Sequence, residues 1–539
     1  MSRDPVAVRH GCLPPRALDC LRALIVCILA AGGPAQAQEA ATTPRFAVLE
    51  FRVVGNSVLP PAVIEEAVYP HLGPGRTAQD IERARAALEE AYTRAGYATV
   101  SVDLPRQSVN DGVVTLRVVE RPVGRLRVAG AEYTLPSEVR RQAPSLAEGQ
   151  VPNLAAVQRD IAALNRSPDR RVTPELRAGS APDTVDVDLR VEDRLPLRAN
   201  LELNNRRSAN TSTLRTSGNI RYDNAWQRGD SINLGFQTAP ERTRDSLVLS
   251  GSYLWRLPGD PAGPALLASF VRSDSDIATV GGSSVIGRGT IIGLRGLLPL
   301  GGEAGFTHSA LFGIDRKHFE EGILLGADRT DVPITYYPLS AGWQGAWSGE
   351  RTTSQLGATL TAGIRGWGSD TAEFERKRAF ASAGWSHLRA DAAHVRRLDN
   401  DIQLSGQGQA QAARDPLISN EQFGGGGVDS VRGYLESETL GDYGGSGQLE
   451  VRSPSFAQRI GPRVNDWRAH AFLDGGSFAI HRPLPQQRSS ATLLSAGIGT
   501  RVQMLGGLQG SLETAAALRD GPQSPAGTLR TLFRIRGEF

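Results

Sequence analysis

The chain has 539 residues, of which 40% are hydrophobic and 22% are charged, and its formal net charge at pH 7 is +3. This length excludes a single small domain. A mean hydropathy of -0.26 argues against a bundle of membrane-spanning helices. The 60 glycines favour turns and strands over long helices, because about 11% glycine exceeds the ~7% of an average protein.

Residues 1–37 have the pattern of a cleaved secretory signal peptide. A start rich in arginine precedes a short apolar run, residues 23–30, and Ala35-Gln36-Ala37 is an A-x-A cleavage site. The apolar run is far shorter than the ~20 residues that span a bilayer as a helix. A buried amphipathic helix is the alternative. Residues 38–45 are expected to form a short linker.

Cleavage would remove all three cysteines, Cys12, Cys20 and Cys27. The processed chain would then have no disulfide and no cysteine-based metal site. The segment also carries four arginines and two aspartates, so its loss lowers the formal charge from +3 to +1. A nearly neutral chain gives no argument for a nucleic-acid partner.

Residues 46–120, the first repeat, predict the order strand, helix, helix, strand, strand. Thr77 caps the longer helix, with Asp80 three residues on as a weaker form of the capping-box acid. The predicted elements are a strand over residues 46–54, helices over 61–68 and 78–95, and strands over 99–104 and 113–119, the last two linked through Asn110-Asp111-Gly112.

Residues 121–193, the second repeat, have the same order of elements. Asn153 caps the longer helix. The predicted elements are a strand over residues 123–128, helices over 136–141 and 154–164, and strands over 172–178 and 185–191. The two segments therefore form an internal repeat of about 75 residues in architecture rather than in letters.

Beyond Leu195 a two-residue alternation replaces helical periodicity. In residues 403–411, Gln and Ser side chains face one way, while Leu404, Gly406, Gly408 and Ala410 face the other. A soluble β-sandwich also alternates, but its apolar side needs many large core residues. An apolar outside, a polar inside and aromatic residues near strand ends are typical of a membrane β-barrel. At roughly 21 residues for each strand and turn, residues 197–539 predict about sixteen strands.

The last strand ends in Phe539. Counting back in twos from it places Gly537, Ile535 and Phe533 on the lipid side, with arginines opposite. A terminal Phe on an alternating strand resembles the C-terminal signal of bacterial outer-membrane barrels.

Three further passages occur in a recognisable order. They are residues 164–191 with Leu195-Pro196-Leu197 after them, Val431-Arg432-Gly433-Tyr434, and Phe472-Leu473-Asp474-Gly475-Gly476. The first resembles a second POTRA domain and its junction with a barrel. The other two are similar to the VRG(Y/F) signature of a long sixth extracellular loop and to the F-x-D-x-G signature of a following strand. Together they resemble the two-partner-secretion transporters, also called haemolysin secretion/activation proteins.

The resemblance implies an α+β and barrel architecture. Two POTRA domains (β-α-α-β-β), residues 46–120 and 121–193, precede a 16-stranded antiparallel transmembrane β-barrel over residues 194–539. In the family, the sixth loop folds back into the barrel, where its Arg contacts the strand Asp.

Carried over, Arg432 pairs with Asp474 as a conformational lock. An Arg fork can bind a carboxylate bidentately, Gly433 lets the backbone turn, and Tyr434 supplies a rigid packing body. The alternative is that Arg432 is a solvated loop residue and Asp474 a hairpin residue.

The resemblance also implies partners and a location. It implies the outer membrane of a Gram-negative bacterium, with the POTRA domains in the periplasm. The expected partners are outer-membrane lipid, the barrel-assembly machinery during biogenesis, and a large exoprotein, haemolysin- or adhesin-like, with an N-terminal secretion domain. Residues 38–45 are too few for the N-terminal helix that plugs the barrel in structurally known relatives, so either the pore is closed by other means or the sixth loop alone blocks it.

Other classes of function find little support in the sequence. The run Gly424–Gly427 has no Lys-Ser/Thr after it, so it fails the phosphate-loop template and is expected to be a flexible lead into the sixth loop. No catalytic triad or metal motif occurs, so neither an enzyme nor a metal or cofactor site is expected. A barrel-assembly insertase is the alternative function, although it typically has more POTRA domains. The run Asn204-Asn205-Arg206-Arg207 is expected to line the lumen or the periplasmic rim.

Overall fold

The fold is taken from a computed structural model, which describes residues 44–109, 111–257, 263–275, 277–280, 283–286, 288–320, 322–325 and 328–539. The predicted signal peptide, most of the linker and Asn110 lie outside these residues. The chain divides into two compact units. One runs to Ala95 and includes Val100–Val119, and the other comprises Gly96–Thr99 and Glu120–Phe539. The second repeat and the barrel therefore belong to the same unit.

The first repeat has a three-stranded sheet with two helices. Its sheet order is β2-β5-β4, in which β2 and β5 are parallel and β4 and β5 antiparallel. Thr77 and Asp80 form the predicted capping box of α2. The elements are β1 Phe46–Val48, β2 Glu50–Val54, α1 Pro61–Val68, β3 Gly73–Arg76, α2 Ala78–Arg94, β4 Ser101–Asp103 and β5 Val113–Val119.

The second repeat has the same topology. Its sheet order is β6-β8-β7, with β6 and β8 parallel and β7 and β8 antiparallel. The side chain of Asn153 accepts a hydrogen bond from Ala156 N and caps α4. Its elements are β6 Val123–Ala129, α3 Pro136–Arg141, α4 Leu154–Leu164, β7 Arg170–Ala178 and β8 Val185–Asp193.

One glycine occupies the same place in both repeats. Gly55 follows β2 with φ +86°, and Gly130 follows β6 with φ +83°. A Cβ on Gly55 would lie 2.4 Å from Val118 O, and a Cβ on Gly130 would lie 2.5 Å from Val191 O. The chain can therefore leave the sheet after β2 and after β6 only because the residue at that point has no side chain.

The barrel consists of sixteen antiparallel strands among the described residues, which confirms the predicted fold class. Tyr337-Pro338 divides one of them into β20 and β21, both of which pair with β17. The strands are β9 Leu197–Asn204, β10 Arg215–Ala225, β11 Asp230–Thr238, β12 Ser246–Arg256, β13 Ala265–Ser275, β16 Gly289–Pro299, β17 Phe306–Phe319, β20 Ile334–Tyr336 with β21 Leu339–Ser348, β22 Thr352–Ala362, β23 Ser386–Arg397, β24 Gln403–Ala413, β27 Tyr443–Arg452, β28 Val464–Ala479, β29 Ser490–Met504, β30 Leu508–Ala517 and β31 Leu529–Glu538.

The remaining elements lie in connections between barrel strands, on the far end of the barrel, which is the end away from Leu197 and the second repeat. They are the strand pair β14 Ile277–Val280 and β15 Ser283–Ile286, the strand pair β18 Gly322–Leu325 and β19 Asp328–Asp331, the helix α5 Thr371–Lys377, and the strand pair β25 Phe423–Gly425 and β26 Thr439–Gly441. In the described residues, every helix is too short or too polar to cross a membrane.

The two faces of the barrel wall differ as the alternation predicts. Large apolar side chains are exposed on the outside, for example Leu529 (72%) and Ile498 (69%). Gln407 and Gln411 of β24 make hydrogen bonds on the inside, with Gln448 and with the backbone of the sixth loop. A polar lining with an apolar outer surface suits a barrel in lipid.

The second repeat is fastened to the near end of the barrel. Arg198 of β9 donates to both carboxylate oxygens of Asp169 at 2.8 Å. Gln227, in the turn between β10 and β11, accepts a hydrogen bond from Leu135 N and donates to Tyr133 O, each at 3.1 Å. These polar contacts explain why this repeat and the barrel form one unit.

We expect Gly130→Ala to destabilise the second repeat by about 2–3 kcal/mol more than Gly149→Ala. Gly149 has a similar φ of +87° but nothing within 4 Å of an added Cβ, so it is a control for backbone strain alone. Local hydrogen exchange of the second repeat in the full chain measures the difference. Equal exchange in the two variants would contradict the steric argument.

Candidate functional site

The sixth far-end connection, residues 414–442 (the sixth loop), folds back into the lumen. Its two limbs pair as the hairpin β25–β26, with Phe423 opposite Gly441 and Gly425 opposite Thr439. Gly426 and Gly427 turn the chain with φ of +101° and +97°. The expectation of a flexible glycine lead is therefore wrong, because these glycines serve a paired hairpin and a tight turn.

Arg432 lies in the loop and is 2% exposed. Its Nε donates to Asp474 Oδ2 at 2.8 Å and its Nη2 to Asp474 Oδ1 at 2.9 Å, a bidentate pair. The backbone N–H of Arg432 also donates to Asp474 Oδ2, at 3.1 Å. The structure thus brings together the two residues that the resemblance pairs, and it fixes both the side chain and the backbone of the loop.

Other charged groups surround this ion pair. Arg432 Nη1 donates to Glu450 Oε2 at 2.9 Å and to Glu513 Oε2 at 3.3 Å. Arg501 contacts both glutamates, at 3.0 and 2.9 Å, and Arg452 contacts Glu450 at 2.6 Å. Three guanidinium groups therefore balance three carboxylates, which offsets the cost of burying each charge. This group is called the charge cluster below and comprises Arg432, Arg452, Arg501, Glu450, Asp474 and Glu513.

The other residues of the loop motif pack beside the charge cluster. Val431 and Tyr434 are buried in an apolar cluster with Phe423, Phe478, Leu493 and Ala517. The Tyr434 hydroxyl donates to Arg519 O at 2.7 Å and accepts from Leu494 N at 3.3 Å. Gly433 has φ +98°, and a Cβ there would lie 3.3 Å from Ser495 Cβ. The motif therefore fits closely against the wall.

Phe472 of the strand motif contacts Arg432, whereas Gly475 and the terminal Phe539 lie away from the charge cluster. The ring of Phe472 lies under the Arg432 guanidinium, 3.5 Å from ring centroid to Cζ. Gly475 pairs with Gly447, on the outer face of the wall. Phe539 is 83% exposed, and its backbone exchanges two hydrogen bonds with Ala199, which extend the contact between β31 and β9. Neither Gly475 nor Phe539 takes part in the charge cluster.

The first limb of the loop has an anchor that sequence reasoning missed. Glu421 is 2% exposed. Its Oε1 accepts hydrogen bonds from Lys317 Nζ and from the Tyr336 hydroxyl, each at 2.6 Å, and its Oε2 lies 3.3 Å from His387 Nε2. One feature of the sequence pointed to this anchor: Lys317 is one of only two lysines among 60 basic residues.

The returning limb is anchored at Asp442, which is fully buried. Its carboxylate accepts both Nη groups of Arg378, which lies just after α5, and the backbone N–H groups of Leu417 and His481 at 3.1 and 2.7 Å. Arg378 also donates to the carbonyls of Leu417 and His481. The fifth, sixth and seventh far-end connections are therefore held together at one carboxylate.

Removal of one partner of the Glu421–Lys317 pair should be costly. We expect Lys317→Met to lower the free energy of unfolding by about 3–5 kcal/mol, because it leaves a buried carboxylate without its cation. Lys317→Met with Glu421→Gln should recover much of the loss. Chemical denaturation in detergent micelles, followed by Trp fluorescence, measures these effects.

Arg351 and Asp399 form an exposed ion pair, so Arg351→Gln is the control, with an expected effect below about 1 kcal/mol. A Lys317→Met effect as small as that of Arg351→Gln would refute the anchor.

Two family models match the chain. Residues 46–121 match the ShlB-type POTRA domain, and residues 335–502 match the haemolysin secretion/activation protein family ShlB/FhaC/HecB. The second match includes Arg432 and Asp474.

Known proteins resemble the chain over most of its length. The outer membrane transporter CdiB of Dickeya dadantii is 22% identical over 484 residues, which are 87% of this chain and 82% of CdiB. The solved structure of CdiB from Escherichia coli is 20% identical, with a TM-score of 0.59 and coverage of 94% and 93%. BamA from Haemophilus ducreyi lacking POTRA domains 1–3 matches with 15% identity, a TM-score of 0.54 and coverage of 92% and 100%.

Relatives, family models and fold thus agree with the resemblance in the sequence. The near end of the barrel faces the periplasm, where POTRA domains lie, and the far end faces the outside. The ShlB-type POTRA match, the ShlB/FhaC/HecB match over residues 335–502 and the CdiB relatives together identify an outer-membrane transporter of the two-partner-secretion type.

Proposed function

We propose that the two repeats capture an unfolded exoprotein through its N-terminal secretion domain, that the barrel conducts it without nucleotide, and that the sixth loop controls the pore. The observation that carries this proposal is the charge cluster, which holds the loop inside the lumen through Arg432. Transport then requires an exchange of polar contacts, in which the passenger or water replaces those of the loop.

The edge of β7 supports strand capture by the second repeat. In β7 every second residue directs its backbone groups away from β8. At Val172 these groups are occupied, because the Asn165 side chain accepts from Val172 N at 2.5 Å and donates to Val172 O at 2.9 Å. Pro174 has no N–H. Within the described part of this repeat, Leu176 and Ala178 therefore offer the open end of the edge, where an extended chain can add as a strand.

The junction with the barrel gives the captured chain a fixed starting point. Arg198 and Asp169 tie the second repeat to β9, and Gln227 ties it to the turn after β10. A passenger strand on β7 would thus be held by a repeat that is fixed at the periplasmic mouth.

The loop occupies part of the lumen. A cavity of about 280 Å³ lies beside it, lined by residues that include Arg206, Arg432, Arg501, Glu513 and Arg534. Because the charge cluster holds the loop in the lumen beside this cavity, we infer that the loop moves during export and closes the pore at rest.

Replacement of Arg432 with Ala should abolish export while the barrel still folds. The substitution leaves three carboxylates with two arginines, and the loop loses its bidentate hold. Export is measured as exoprotein in the culture medium, folding as heat-modifiable migration in electrophoresis, and closure as single-channel conductance, which should rise.

Arg295→Gln is the matched control, because the hydrogen bonds of Arg295 in the described structure go to wall residues, Asp315 at 2.8 Å and Ser269 at 3.4 Å. Normal export by the Arg432→Ala variant would overturn the role of this residue.

Leu176→Pro should reduce export at least tenfold, because it removes the outward N–H at the open end of β7 without breaking a bond to β8. Leu176→Ala keeps the N–H and serves as the control. Export by the proline variant at the level of the alanine variant would exclude strand addition at this edge.

A further inference from the structure

The run Asn204-Asn205-Arg206-Arg207 begins at the last residue of β9 and continues beyond it. The sequence predicted that this run lines either the lumen or the periplasmic rim. It does not lie at the periplasmic rim. Asn204 pairs with Arg215 and Arg534, and the residues after it turn into the lumen toward the sixth loop. This turn therefore lies between two parts of the molecule. One is the contact of β9 with β31, called the seam, and the other is the tip of the sixth loop, residues 428–438, called the loop tip.

The seam is the shortest strand contact in the closed barrel that the structure describes. Residues Arg534–Glu538 pair with Asn200–Asn204, five positions, and the Phe539–Ala199 bonds add one more. On its other side β31 pairs with β30 over nine positions, from Leu529 to Gly537. The part of β31 before Arg534 thus extends beyond the end of β9.

The side chain of Asn205 covers that extension. It accepts a hydrogen bond from Phe533 N at 2.9 Å and donates to Thr531 O at 2.8 Å. Phe533 and Thr531 follow in the alternation Phe539, Gly537, Ile535, so their backbone groups point toward β9. The amide therefore supplies two of the bonds that a longer β9 would have made with β31.

The next two residues hold the loop tip. Arg206 Nε donates to Glu436 Oε1 at 3.0 Å, and the same guanidinium contacts Asp429. Arg207 O accepts from Glu436 N at 3.0 Å. Asn204 Oδ1 accepts from Arg206 N at 3.0 Å, which stiffens the turn between these contacts. Adjacent residues on one short turn thus serve the seam and the loop.

We propose that this turn couples the position of the sixth loop to the part of β31 that Asn205 covers, Thr531 to Phe533. Asn205 and Arg206 act as positioning residues. When the loop tip leaves Arg206, the turn loses its fixed position, and the Asn205 amide leaves the edge of β31. The barrel then exposes Phe533 N–H and Thr531 C=O in step with loop withdrawal. The proposal rests on the inference that the loop moves during export.

Hydrogen exchange of the full-length protein in micelles tests this coupling. The informative variant is Asp429→Asn with Glu436→Gln, because in the described structure neither side chain makes a hydrogen bond or an ion pair with β31. We expect exchange in a peptide covering residues 529–535 to become about fivefold faster, the effect of one lost hydrogen bond. Asn205→Ala should produce the same change directly and should also speed exchange at residues 428–438.

Asp415→Asn is the matched control, since Asp415 is an exposed acid of the same loop. Exchange at residues 534–538, which stay paired with β9, reports whether a variant keeps a folded barrel. With all three substitutions combined, coupling predicts no further acceleration at residues 529–535. Unchanged exchange there in Asp429→Asn/Glu436→Gln, or additive effects in the triple variant, would overturn the coupling.

Hydrogen exchange in the loop-tip variant, together with export by Arg432→Ala, separates this proposal from the proposed function. If Arg432→Ala abolishes export but the seam exchanges at the wild-type rate in the loop-tip variant, then the loop controls the pore without coupling to the seam. If export by Arg432→Ala is normal, the proposed function itself fails.

Discussion

The contact of Arg432 with Asp474 is the interaction on which the interior of this barrel depends. A sixteen-stranded barrel has a lumen too wide for wall side chains to fill. A loop that enters it must bring its own polar groups into a low-dielectric surrounding, where an unpaired charge costs several kcal/mol. The bidentate pair, with Glu450 and Glu513 beside it, holds the loop at one position inside the lumen.

Two further ion pairs hold the rest of the loop. Glu421 anchors the first limb on Lys317, and Asp442 anchors the returning limb on Arg378. Each anchor lies on a different part of the wall or on a neighbouring connection, so no single strand carries the loop. Both anchors are ion pairs, so other polar groups can replace them, which the proposed movement of the loop requires.

Much of the fold was predictable from the sequence, because it follows from local patterns. Alternation predicted the inward Gln side chains of β24, and Thr77 with Asp80 predicted the start of α2. Strand β3, Gly73–Arg76, escaped because its Gly-Pro-Gly-Arg sequence has no apolar pattern. The partnership of Arg432 with Asp474 came from a family resemblance, and Glu421 with Lys317 was missed, since no local pattern links residues 104 positions apart.

The matching glycines of the two repeats have a wider consequence. An added Cβ on Gly55 or on Gly130 would meet the equivalent carbonyl of the last strand at almost the same distance, and both glycines follow the letters Arg-Val-x. The chain thus contains a duplicate of itself, against which each position can be judged without a second sequence. What both copies keep is demanded by the shared architecture. A residue that only one copy has, such as Pro174 within β7, is not required by that architecture.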